Sequence, residues 1–132
     1  MLDRTVAVVA IALTSGAIVF AQAPFPVVGT TYQIDSARFP GKIAICVTET
    51  AMSKYMAANA TGDEARTKKL VAEVETTQDF AKLKAQGGCT SISSFSQATV
   101  VKKGSVAHQA EFAAFPFGPM WGSPLYFGAP VK

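Results

Sequence analysis

The sequence predicts an α+β fold in which short helices are inserted before a small antiparallel β-barrel or meander, with one disulfide. Three observations predict it. Capping residues and helically spaced apolar side chains run from Thr48 to Gly88. Short β-branched runs separated by turn residues follow from Cys89 onward. Two cysteines, Cys46 and Cys89, flank the helical stretch.

The amino-terminal residues read as an export signal. Arg4 supplies a charged start, Thr5 to Phe20 carries no charge, and small residues follow at Ala21 and Ala23. Cleavage is expected after Ala21, so the signal covers 1–21 and Gln22 becomes the first residue. Cleavage after Ala23 is the alternative, but it places Pro24 just beyond the cut, where the rigid ring fits poorly in an extended substrate. The competing reading is an uncleaved anchor, because the run from Thr5 to Ala23 is near the lower end of what spans a bilayer. The expected location is therefore periplasmic or secreted, with membrane contact only if the signal stays in place. Residues 22–41 read as an irregular arm and residues 42–132 as a single α+β domain.

Composition narrows the class. The chain is 49% hydrophobic and 16% charged, which excludes a disordered polar chain. Net charge is +3, and the positive residues form no long tract, so no nucleic-acid partner is expected. An even pair of cysteines in an exported chain suggests a disulfide. Closing that loop stabilises a fold by about 4 kcal/mol in the chain-entropy model. A buried thiol pair and a catalytic thiol are the competing readings, and no CxxC motif supports the second.

The elements follow in order. Pro24, Pro26, Gly29, Pro40 and Gly41 punctuate the arm, which has room for one short strand around Thr31 to Ile34. Lys42 to Val47 is a compact apolar run suited to a buried strand. Thr48 caps a first helix, with Glu49 against its positive end and Met52, Tyr55 and Met56 on one face. Asp63 caps a second helix, which Leu70, Val71 and Val74 give an apolar edge. Thr76 to Asp79 reads as a break before a third helical piece containing Phe80 and Leu83, closed by Gly87-Gly88.

Thr90 to Ile92 and Ala98 to Val101 read as strands. Lys102 to Ser105 reads as a hairpin turn with Gly104 where an unusual backbone angle is needed. In the returning strand, Val106, His108, Ala110 and Phe112 point one way and Ala107, Gln109 and Glu111 the other. Four prolines after Phe115 confine the tail to short edge strands and turns.

Ala44-Ile45-Cys46-Val47-Thr48, Ala60-Thr61-Gly62-Asp63, Gly88-Cys89, the strand pair around Gly104, and Trp121 together resemble a class of small exported bacterial proteins with an SH3-like barrel. The resemblance implies a domain that binds cell-wall peptides or serves as an interaction module, although fold alone does not give function.

Signals for chemistry are few. His108 is the single histidine, and no nucleophile motif accompanies it, so a half-buried strand residue is the plainer reading than a general base. Asp63 with Glu64, and Glu73 with Glu75, read as solvated acids on helices rather than an acid–base pair. Met52, Met56 and Met120 are donors for a soft metal ion, but methionines at helical spacing more commonly fill a core. No metal and no cofactor are expected.

The aromatic tail is the candidate binding surface: Phe112, Phe115, Phe117, Trp121, Tyr126 and Phe127. Rings held by Pro and Gly turns line grooves for peptides or glycans. The competing reading is that these rings fill the small core. The expected function is a non-catalytic cell-envelope binding or interaction domain for a peptide, glycan or protein ligand. A structural subunit of an envelope or secretion assembly is the alternative, and a small hydrolase or metal carrier has the least support.

Overall fold

The computed structural model describes residues 26–132; the segment expected to be an export signal and both of its expected cleavage points lie outside the described residues. Seven strands pair into one antiparallel sheet: β1 (Thr31–Ile34), β2 (Lys42–Cys46), β3 (Cys89–Ser93), β4 (Gln97–Lys103), β5 (His108–Phe112), β6 (Met120–Gly122) and β7 (Phe127–Pro130). Their order across the sheet is β3-β2-β6-β5-β4-β1-β7.

The sheet is open, which corrects the expectation of a closed barrel. Closure requires the edges β3 and β7 to meet. Instead β7 ends on Pro130, which has no N–H to give, and the Val71–Ala72 segment docks on β3. Nor do the helices precede the sheet. β1 and β2 come first in the chain, and β1 lies between β4 and β7 with Tyr32 and Ile34 buried. The short strand expected around Thr31 to Ile34 is therefore part of the sheet. β6 corrects a further expectation, because it lies inside the sheet between β2 and β5.

Three helices occupy the connection from β2 to β3: α1 (Glu49–Ala60), α2 (Glu64–Leu70) and α3 (Thr77–Gln86). Each begins where a short oxygen-bearing side chain takes an orphan amide. Thr48 Oγ1 accepts the Ala51 N–H at 3.0 Å, and Asp63 Oδ1 accepts the Arg66 N–H at 3.0 Å. Thr76 and Asp79 form a reciprocal capping box, so the expected break is the start of α3. Gly87 closes α3 in the left-handed region at φ 65°.

α2 stops at Leu70, and Val71 and Val74 are not on its face as expected. Both residues are β-branched and fit extended backbone. Val71 makes a parallel bridge to Cys89, and the Ala72 N–H donates to the Cys89 carbonyl at 2.8 Å.

Cys46 and Cys89 are direct cross-strand partners and form the disulfide, with their Cα atoms 3.9 Å apart. Both are fully buried beside Ile45, Met52 and Met120. Leu83 from α3 and Val100, Phe112 and Tyr126 from the β half complete the same core.

At the β4–β5 turn, Gly104 does not adopt a positive φ, contrary to expectation. Its small size serves a close approach instead. A Cβ there would run into the Glu49 carboxylate and stand 2.7 Å from the Ala107 carbonyl oxygen. The inward alternation holds for His108, Ala110 and Phe112 but reverses before them, with Val106 exposed and Ala107 buried. Residues 106 and 107 precede β5, where the pleat no longer governs side-chain direction.

Candidate functional site: a groove at the edge of β3

The main chain of β3 has a definite outer side. In an antiparallel pair, alternate residues turn their N–H and C=O away from the partner strand. Cys89 uses its carbonyl on the side away from β2, where it accepts the Ala72 N–H. Ser91 and Ser93 therefore face the same way. The Ser93 carbonyl accepts from Ser96 Oγ at 3.0 Å. Ser91 has no hydrogen bond on that side among the described residues.

The segment that docks at Cys89 diverges after Ala72, and a groove of about 350 Å³ opens between it and β3. Val74 and Ile92 give the groove apolar sides, joined by Phe115 and Phe117 from the β5–β6 connection. Exposed Glu73 and Glu75 stand on one lip. Lys42, the register partner of Ser93, marks the far end.

The aromatic wall is braced from behind. Phe80 on α3 meets Phe115 at 5.4 Å and Phe117 at 6.4 Å between centroids, and Phe115 meets Phe117 at 5.2 Å. Lys84 Nζ lies 4.9 Å from the Phe80 centroid. Edge-to-face packing of this kind fixes ring positions beyond simple burial.

The six aromatic residues expected to share a surface are divided by the fold. Phe112, Tyr126 and Phe127 are buried in the core, with Phe112 and Phe127 6.4 Å apart and Tyr126 edge-on to Phe39 at 4.9 Å. Trp121 is half-buried on β6, paired with Cys46 and Gln109, away from the groove. Phe115 and Phe117 alone reach the groove. Pleating sends Phe112 inward from β5, the 3-10 turn Pro124–Tyr126 buries Tyr126 just ahead of Phe127 on β7, and Phe115 and Phe117 fall in the β5–β6 connection.

The other candidates take structural positions. His108 is buried on β5 with its ring 6.1 Å from Phe127, and its Nδ1 has no hydrogen-bond partner among the described residues. Burial, followed by the charge of Lys103, lowers its pKa, so the neutral ring is favoured. Met52 and Met120 are fully buried and unable to reach a solvent-borne ion. Asp63 caps α2, with Glu64 in its first turn. Glu73 and Glu75 are on the irregular chain between α2 and α3, not on a helix as expected.

The groove was not visible from sequence because no local pattern says which strand will be an edge. The available signal was the run Val71 to Glu75, two β-branched residues and two acids just before a capping threonine. The chain matches no protein-family model, no curated protein and no solved structure.

Proposed function

We propose that this protein is an exported, non-catalytic interaction domain whose ligand lies in the groove along β3. One observation carries the reading: the Ser91 main chain is open at the floor of a groove with apolar sides. A polar backbone edge beside braced aromatic rings suits an extended ligand, which supplies both hydrogen bonds and side chains. The disulfide is compatible with an oxidising compartment and supports the export half of the reading.

The test is a photo-crosslinking residue placed at Ser91 in the exported chain, with Lys68 on α2 as the control position. A discrete adduct from Ser91 but not from Lys68 is expected in envelope fractions. Equal labelling at both positions, or recovery of the protein only from the cytoplasm, overturns the reading.

A subunit of an envelope assembly is the second reading, and Phe95 favours it. This ring is 70% exposed. The turn beneath it is fixed, since the Phe95 N–H donates to Ser93 Oγ at 3.1 Å and the Ser94 N–H to the Gly41 carbonyl at 3.0 Å. A rigidly presented aromatic ring is the usual anchor of a protein interface. Sedimentation that shows a stable oligomer, lost in Phe95→Ser, would favour this second reading.

A further inference from the structure

We infer that the groove takes an extended peptide with alternating apolar and cationic residues, added as an extra strand to the edge of β3. The inference rests on the reading of the groove as the ligand site and names the chemistry of its occupant.

The first support is the unprotected edge. Sheet edges are ordinarily blunted by proline, by charged side chains or by a covering segment. β7 follows that rule with Pro130. β3 reads Cys-Thr-Ser-Ile-Ser, with no proline and no charge. Val71 and Ala72 cover only its Cys89 end. The next outward residue, Ser91, keeps one donor and one acceptor toward the groove, which is the main-chain requirement for accepting another strand.

The second support is the pairing of walls and lip. Successive side chains of an added strand point to opposite sides. One set meets Val74, Ile92, Phe115 and Phe117, which requires apolar residues. The other set meets Glu73 and Glu75, which favours lysine or arginine. Lys42 at the far end leaves the rim with two carboxylates against one ammonium, so the field still attracts a cationic segment.

The experiment is calorimetric titration of the oxidised full chain with three capped pentapeptides. The first has the order valine, lysine, valine, lysine, valine. The second carries glutamate in place of lysine, and the third is the lysine peptide methylated on the amide nitrogens of its second and third residues, one of which faces β3 in either strand direction. Binding of the lysine peptide is expected, about tenfold weaker after amide methylation because one backbone hydrogen bond is lost. Glu73→Gln with Glu75→Gln should weaken it about fivefold, as expected for two exposed ion pairs.

Equal or tighter binding of the glutamate peptide overturns the charge assignment. Unchanged binding of the methylated peptide overturns strand addition. Failure of the lysine peptide to bind, with the Ser91 adduct still formed, rejects this occupant and leaves the groove as the ligand site. Failure of both removes the groove reading as well.

Discussion

Glu49 Oε2 accepts the Val106 N–H at 2.7 Å, joining the first turn of α1 to the β4–β5 turn across 57 positions of sequence. The same oxygen accepts the Ala107 N–H at 3.1 Å. These amides hold the Glu49 carboxyl below the ordinary carboxylate range, Val106 first and Ala107 second. Gly104 leaves the space in which this contact forms.

Gly104→Ala is therefore expected to destabilise the fold by about 1–3 kcal/mol, the range for forcing a methyl into a packed site. Chemical denaturation checks it. Glu49→Gln should lower the melting temperature without changing the circular-dichroism spectrum. Full wild-type stability in Gly104→Ala would mean the turn adjusts freely and the contact is not held in place.

Stability should fall on acidification in two steps. His108 is lowered from its ordinary 6.5, so below that value the unfolded chain binds protons that the folded chain does not. Glu49 is lowered from 4.5, and Asp79 from 3.8 mainly by the Glu75 N–H. Their stabilisation is full above those ordinary values and is lost as pH falls through the lower folded ones. Melting temperatures measured across this range should show both steps, and His108→Leu should remove only the first.

The disulfide makes a third prediction. Reduction should destabilise the protein by about 4 kcal/mol, the loop-entropy value for a crosslink of this span. Cys46→Ser and Cys89→Ser should be equally affected, and the double variant no more than either. Thiol titration of the native protein should find none, since both sulfurs are bonded. Two reactive thiols would refute the bond.

Tyr126 supplies a fourth. Its hydroxyl donates to the Ala44 carbonyl at 2.8 Å in the core, and burial first, then Tyr55, pushes its pKa far above the usual tyrosine range. Tyr126→Phe should cost about 1–3 kcal/mol by leaving that buried carbonyl unpaired. An alkaline ultraviolet titration of the native protein should count one tyrosine fewer in the variant only after unfolding.

What was legible in the sequence was local chemistry. Thr48 and Asp63 announce helix starts because their side chains meet amides three residues on, and Gly87 announces a stop because it alone tolerates the left-handed turn. The disulfide was legible because a chain with two cysteines has one intramolecular pairing available. The parts not legible depend on distant partners. Val71 and Val74 suit a helix edge or an extended run equally, and docking at Cys89 decides between them. Gly104 looks like a turn glycine until Glu49 arrives beside it. The groove combines residues from β2, β3, the 71–75 segment and the β5–β6 connection, so no window of sequence contains it.

The disulfide and its neighbours also mark where the helical stretch joins the sheet. Just beyond Cys46 and Cys89, the Val47 N–H meets the Gly88 carbonyl at 3.1 Å, so β2 and β3 form a hairpin whose loop is the whole helical stretch. That stretch leaves and re-enters the sheet at one place, and between those points it returns once, at Val71 and Ala72, to the outer side of Cys89. Gly62, at φ 73°, turns the chain from α1 to α2 with open space on its outer side. The helical part is clipped to the frame at one rung of the sheet, while Met52 and Leu83 tie its middle into the shared core.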